Sequence, residues 1–199
     1  MEPPVDFFLI RHGETDWNRQ GRLQGQRDVP LNPIGLEQAS AAGRKLKKLL
    51  HKEGIDPAGL RFVASPLRRT CDTMERLRSA LGLPPAAYET DDRLKEIGFG
   101  AWEGLTWSEA KAVAPALVKE RKRAKWIFVP PGGESYADLA DRLMPWLGER
   151  RPGDVVVAHG GVARALMHIL AGVPITEAPD IEIFQGRVLR FARGRFQWF

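Results

Sequence analysis

Apolar residues along this chain fall into two patterns that alternate: short unbroken runs, and stripes recurring every three to four positions. Phe7-Phe8-Leu9-Ile10 lies within residues 5–11, and Val155-Val156-Val157-Ala158 within residues 154–158. Runs this short, bounded by polar residues and glycine, predict strands buried on both faces of a parallel sheet. Residues 60–64 predict another. The stripes predict helices. Asn32-Pro33 offers a cap and a first turn, and Leu36, Ala39, Leu46, Leu49 and Leu50 form one face that ends before Gly54. Ser65-Pro66 opens a second helix, with Leu67, Cys71, Met74, Leu77 and Leu81 as its buried stripe and Gly82 as its stop. Thr106 and Glu109 have the spacing of a capping box, for a helix that Pro115 interrupts. Ser135 and Asp138 open another, turning Tyr136, Leu139, Leu143 and Trp146 inward, and residues 161–171 form the last. Residues 12–32, most of 84–105, and 121–133 read as loops. The tail reads as short strands at 181–184, 187–192 and 195–199, turning at Gln185-Gly186 and near Gly194. Strands alternating with helices predict an α/β fold with an antiparallel C-terminal edge.

Bulk composition narrows this further. With 199 residues, 43% of them hydrophobic, the chain can bury a core, and one domain over residues 1–199 is expected. The single cysteine, Cys71, excludes an internal disulfide framework and any four-cysteine metal site. No apolar stretch is long enough to span a bilayer and no charged-then-apolar leader opens the chain, so a soluble, cytoplasmic protein with no membrane partner is expected. The formal net charge is +5. Apart from residues 119–125 and the arginines of 187–195, the surplus is spread out. A site for anionic small molecules accounts for it as well as nucleic acid does, and no nucleic-acid partner is expected.

Candidate chemistry collects where the strands end. Arg11-His12-Gly13 and His159-Gly160-Gly161 each follow an apolar run directly. In open α/β sheets ligands bind just beyond the carboxyl ends of the strands, so the two histidines are placed to meet. A neutral imidazole is a good nucleophile toward phosphorus, provided its other nitrogen is held by a fixed acceptor. An adjacent arginine presents a donor fork that matches phosphate oxygens. A histidine ending a strand for packing alone is the bland alternative; the second His-Gly argues against it. In Ser65-Pro66-Leu67-Arg68-Arg69, both arginines fall in the first turn of a helix, where a bound anion would explain the charge. Arg68 can pair with Asp72 four residues on, which leaves Arg69 as the phosphate ligand. A departing alkoxide needs a proton, and Glu96 and Glu103 are candidates, the latter better read as a solvated loop charge. His159, assisted by the amide of Gly160, would donate to the charge on the transferring group. Two histidines and two arginines suffice for phosphoryl transfer without metal or cofactor. His51 suits a helix C-terminus, and His168 reads as surface or core.

These pieces, in their order, resemble the histidine phosphatase superfamily, the phosphoglycerate mutase-like proteins. The stretch Leu9-Ile10-Arg11-His12-Gly13-Glu14-Thr15-Asp16-Trp17-Asn18 is similar to its signature. Gly21-Arg22-Leu23-Gln24-Gly25, Ser65-Pro66-Leu67-Arg68-Arg69-Thr70, Glu96 with Phe99-Gly100-Ala101-Trp102-Glu103-Gly104, and Val157-Ala158-His159-Gly160-Gly161 continue it. The resemblance spans residues 5–171. It implies a mostly parallel mixed sheet between helices, a three-layer sandwich. It also implies that His12 is phosphorylated and that Glu96 donates the proton. Arg11, Arg69 and His159 would surround the phosphoryl group, with Asn18, Gln24 and the backbone at Gly25 and Gly160 near it. Mutases of this family are generally longer and usually have tyrosine where Phe99 stands, which favours a phosphatase acting on a small phosphorylated metabolite. A cofactor-dependent phosphoglycerate mutase is the alternative, because Arg121, Lys122, Arg123 and Lys125 can bind a substrate carboxylate or second phosphate. A catalytically silent binding scaffold is the remote one. The aromatic tail Phe196-Gln197-Trp198-Phe199 either joins the core or pairs edges in a homodimer.

Overall fold

Adjacent strand ends set the geometry of this molecule, a computed structural model that describes residues 6–199. The strands are β1 (Phe7–Arg11), β2 (Phe62–Ala64), β3 (Glu89–Thr90), β4 (Val155–Ala158), β5 (Leu189–Ala192) and β6 (Arg195–Trp198). They form one six-stranded sheet in the order β3-β2-β4-β1-β5-β6. The first four in that order run parallel; β5 is antiparallel to β1, and β6 to β5.

The helices are α1 (Asp16–Arg19), α2 (Pro33–Glu53), α3 (Arg68–Leu81), α4 (Trp107–Val113), α5 (Pro115–Arg123), α6 (Tyr136–Glu149) and α7 (Gly160–Ala171). Alternate residues of β1 feed opposite faces of the sheet, as strand geometry requires. Phe7 and Leu9 pack with Leu143, Trp146 and Leu166 of α6 and α7; Phe8 and Ile10 pack with Leu46, Met74 and Leu77 of α2 and α3. The sheet is therefore buried between two helical layers, the expected three-layer α/β sandwich. A third, smaller cluster of Leu23, Trp102, Ala110, Val118 and Phe128 forms under α4 and α5. That cluster supports a cap beside the carboxyl ends of the strands.

Local sequence explains most boundaries. Asn32 accepts from the Gly35 amide and Pro33 opens α2, while Thr106–Glu109 and Ser135–Asp138 close reciprocal capping boxes. Pro115 does interrupt the helix begun at Trp107, and then opens α5.

Several boundaries differ from expectation. Val5, assigned to the first strand, lies outside the described residues. The loop over 12–32 contains α1, held by a capping box between Thr15 and Asn18. Helix α3 starts at Arg68, with Leu67 at its cap and Ser65-Pro66 outside it, Pro66 in a bend. The predicted loop over 121–133 begins later, because α5 runs to Arg123; its basic last turn suits the negative end of the helix dipole. No strand forms at 181–184. There the carbonyls of Ile181 and Ile183 accept from Arg164 and Arg11 instead of joining a ladder. The aromatic tail packs on the core: Phe196 and Trp198 reach one cluster and Phe199 the other.

Candidate active site

Register brings the two histidines together. Arg11 sits opposite Ala158 on β4, and Ala64 of β2 opposite Val157. The next residues, His12, His159 and Ser65, therefore leave three neighbouring strand ends side by side. The His12 and His159 rings meet edge to face with centroids 5.1 Å apart. The Ser65 hydroxyl lies 2.8 Å from Nε2 of His159.

Beside them opens a cavity of about 300 Å³, near the lower end of the usual range for small-molecule sites. Arg11, His12, Asn18, Gln24, Gly25, Arg69 and Glu96 all line it. His159 and Gly160 do not reach its surface. His159 is fully buried beside His12, and Gly160 lies against the Arg11 guanidinium, near enough that an added Cβ would be 3.7 Å from Nε.

Each of these groups is held by specific partners. Nδ1 of His12 is 2.7 Å from its neighbour's carbonyl, Gly13 O. A carbonyl only accepts, so Nδ1 carries the proton and Nε2 keeps its lone pair. Arg69 donates to the carbonyls of Arg27 at 2.6 Å and Gly25 at 2.8 Å. Arg11 donates to Ile183 O at 2.8 Å. These bonds leave Nε of Arg11, Nε of Arg69 and Nδ1 of His159 buried with no hydrogen-bond partner among the described residues. Three buried nitrogens without partners around one imidazole are the donor set an oxyanion satisfies.

The polar side chains are similarly ordered. The Asn18 carbonyl oxygen accepts from Thr15 N at 3.2 Å and from Gln185 Nε2 at 3.1 Å. Gln24 uses its amide oxygen to accept from Thr15 Oγ1 at 2.9 Å. Both amide groups thus keep their NH₂ donors for the cavity. Glu96 accepts from the Gly161 amide with both oxygens, at 3.0 and 3.2 Å, and from its own neighbour Ile97 N at 2.9 Å. An added Cβ on Gly161 would fall 2.4 Å from Glu96 Oε1, so only glycine admits the carboxylate there.

Electrostatics follow from this crowding. Burial, with Arg69 and Arg11 beside it, holds the His12 imidazole well below its usual 6.5. Burial and Arg69 do the same to His159. Burial also draws Arg11 down to about 10. Both histidines are neutral near pH 7, as a nucleophile with a free lone pair must be.

Some expectations are corrected. Glu103 is not a solvated charge: its side chain is 12% exposed, accepts from Gln26 N at 3.0 Å and Phe99 N at 3.2 Å, and pairs with Arg27 at 3.4 Å. It orders the loop at Gly25, whose φ of +52° and 2.0 Å approach to Glu103 by a built Cβ both demand glycine. Arg68 faces solvent toward Asp72, at 3.8 Å. Within the basic segment, Arg121 and Lys125 line the cavity, whereas Lys122 and Arg123 are exposed. Tyr136, Arg164 and Trp107 also line it. Tyr136 is buried in the core as its helical spacing predicts and also borders the cavity, whereas Arg164 is not among the residues the sequence singles out. The available signal for Arg164 was a lone charge one helical turn after His159-Gly160, on a helix otherwise apolar. His51 is exposed, and His168 is half-buried against Trp126 with Nδ1 on Val173 O at 2.8 Å.

A glucosyl-3-phosphoglycerate phosphatase of Mycolicibacterium vanbaalenii is 38% identical over 187 residues, covering 87% of this chain and 77% of the relative. The solved native structure of a mycobacterial glucosyl-3-phosphoglycerate phosphatase superposes with a TM-score of 0.77 at 33% identity, over 94% of this chain and 89% of that one. A 2,3-bisphosphoglycerate-dependent phosphoglycerate mutase of Methylobacterium is 32% identical over 193 residues, 90% of this chain and 87% of its own length. The family model for the histidine phosphatase superfamily (branch 1) matches residues 7–198, and the chain belongs to that superfamily.

Proposed function

We propose that the chain hydrolyses a small phosphomonoester through a phosphohistidine on His12. Nε2 of His12 attacks phosphorus and the P–O bond to the leaving group breaks, while Glu96 delivers a proton to the departing oxygen. Water then attacks the phosphohistidine, Glu96 takes back a proton, and inorganic phosphate leaves. Arg11, Arg69 and His159 stabilise the equatorial oxygens throughout, with Asn18 and Gln24 completing the cradle. The three unpartnered buried nitrogens around a neutral His12 carry this reading. The phosphatase relatives support hydrolysis as the outcome. A cytoplasmic setting fits a single half-buried cysteine and the absence, among the described residues, of any helix long and apolar enough to cross a membrane.

The test is p-nitrophenyl phosphate hydrolysis with acid-quench trapping. Wild type should turn over and retain acid-labile phosphate, and His12→Ala should do neither while keeping its thermal transition. Turnover by His12→Ala near the wild-type rate refutes the assignment. The mutase reading is favoured by the Methylobacterium relative and by Arg121 and Lys125 in the cavity. Bisphosphate-primed interconversion of 3- and 2-phosphoglycerate without net phosphate release would establish it instead.

A further inference from the structure

We infer that Arg142, paired with Glu134, is the positioning residue for Glu96: the two side chains clamp the backbone from which that carboxyl group projects. This deepens the phosphatase reading and rests on it.

Glu96 sits where regular structure gives it no support. Residues 95–99 run between two single helical turns, Asp92–Leu94 and Gly100–Trp102, and join no strand. The backbone groups of such a stretch need partners from elsewhere, and α6 supplies them. Nη1 of Arg142 donates to the carbonyls of Arg93 at 2.7 Å and Lys95 at 3.0 Å, and Nη2 reaches that of Glu96 at 3.4 Å. One planar fork thus fixes three carbonyls, two of them at and beside the proton donor. Glu134 closes the other end. Its carboxylate accepts from Gly98 N at 3.0 Å, and its own amide donates to Gly98 O at 2.8 Å. A two-pronged ion pair joins the two side chains, Nε to Oε1 at 3.0 Å and Nη2 to Oε2 at 2.9 Å. One connected unit therefore grips the chain on both sides of Ile97.

The carboxyl end of Glu96 has a separate anchor, the Gly161 amide of α7. Helices α6 and α7 share one core cluster through Leu139, Leu143, Val162 and Leu166, so packing sets the distance between the backbone anchor and the carboxyl anchor. A donor held at both ends stays within reach of the departing oxygen. Glu134 has a second effect. By balancing the charge of Arg142 it lets the fork orient the chain without drawing the Glu96 carboxylate off the cavity wall. Neither Arg142 nor Glu134 lines the cavity, so any effect on the reaction passes through Glu96.

Benzyl phosphate and p-nitrophenyl phosphate are close in shape, but only the first needs its leaving oxygen protonated. Arg142→Met should lose about 10- to 100-fold in kcat/KM on benzyl phosphate and less than about threefold on p-nitrophenyl phosphate. Arg142→Lys keeps a charge for Glu134 but cannot span three carbonyls, and its loss should fall between wild type and Arg142→Met. Adding Arg142→Met to Glu96→Gln should cause no further loss on benzyl phosphate, because nothing remains to be positioned. Amide exchange gives a readout apart from activity. Arg142→Met should strip protection from the Gly161 amide, which donates to Glu96, and spare that of Ala163, which donates to His159 O at 3.0 Å. Equal slowing of both esters, losses that multiply in the double variant, or unchanged Gly161 protection overturns the clamp. Should Arg142→Met not fold, the same measurements on Arg142→Lys decide. Failure of the wild type to hydrolyse p-nitrophenyl phosphate overturns the phosphatase reading, and Gly161 exchange then judges the clamp alone.

Discussion

Replacing Gly161 by alanine tests the role of Glu96 without touching its carboxyl group. The added Cβ would lie 2.4 Å from Glu96 Oε1, against about 3.4 Å for ordinary contact. Gly161 sits in the first turn of α7, tied to β4 through His159, whereas Glu96 projects from an irregular segment. The carboxylate must therefore yield, by about 1 Å. Misplacement on that scale is enough to cost on the order of 10²-fold in a positioned proton transfer, about 2.7 kcal/mol of transition-state stabilisation. The loss should depend on the leaving group. An alkyl phosphate needs its oxygen protonated as it leaves, and its kcat/KM should fall by that factor. p-Nitrophenolate leaves as a stable anion, and hydrolysis of p-nitrophenyl phosphate should stay close to wild type. Glu96→Gln should show the same split without any steric change. Measuring kcat/KM for both esters in both variants decides the matter. Equal slowing of the two esters, or a normal rate on the alkyl ester, removes Glu96 from the proton-donor role.

Two further outcomes follow from the buried imidazoles. His12 and His159 both titrate well below 6.5 in the fold, so the native state binds fewer protons than the unfolded chain at mildly acidic pH. Their contribution is fully present above about 6.5 and is lost as pH falls below it, at up to about 1.4 kcal/mol per pH unit for each ring. Urea unfolding between pH 7.5 and 5.5, where ordinary carboxylates barely titrate, should show this slope; a flat profile contradicts the burial argument. Ser65→Ala removes the hydroxyl that holds Nε2 of His159, and one lost hydrogen bond of about 1.4 kcal/mol should lower kcat/KM about tenfold. Because the proposed role of His159 is on the phosphoryl group and not on the leaving group, alkyl and p-nitrophenyl esters should lose equally; a leaving-group-dependent loss assigns Ser65 elsewhere.

Much of the site was legible because its positions sit at strand ends. Val155-Val156-Val157-Ala158 reads as a buried strand, and whatever follows such a strand emerges at the sheet's carboxyl edge. The same holds for Phe7-Phe8-Leu9-Ile10, which is why His12 and His159 could be paired from sequence across nearly the whole chain. What sequence left hidden depends on tertiary contact. Ile181 and Ile183 look like alternating strand residues, yet their carbonyls are engaged by two guanidiniums that no periodicity reveals. α1 is a single turn, too short to display a period, and exists because Thr15 and Asn18 cap each other. Residues 121–123 read as loop because charge masks helical spacing there, although a helix C-terminus is where such charge is tolerated. Glu103 shows the same lesson at one residue: its loop position suggests solvent, while its partners come from segments some 77 residues apart in the case of Gln26.

The arrangement of charge suits the proposed histidine nucleophile. An imidazole beside two arginines and buried between strand ends resists taking a second proton, which keeps its lone pair available below its usual 6.5. The same arginines would be a liability to the fold if they had only each other. Arg11 is drawn down to about 10, and Arg69 is lowered as well, by burial. Backbone carbonyls offset part of that penalty, one for Arg11 and two for Arg69, without neutralising either charge. A carboxylate in their place would stabilise the resting protein and repel the substrate. Carbonyl partners instead fix each guanidinium while leaving its charge and one nitrogen for the phosphoryl oxygens. The lowered histidine pKa and the unsatisfied arginine nitrogens are therefore two consequences of one choice: positive charge held in place by dipoles rather than by counter-ions.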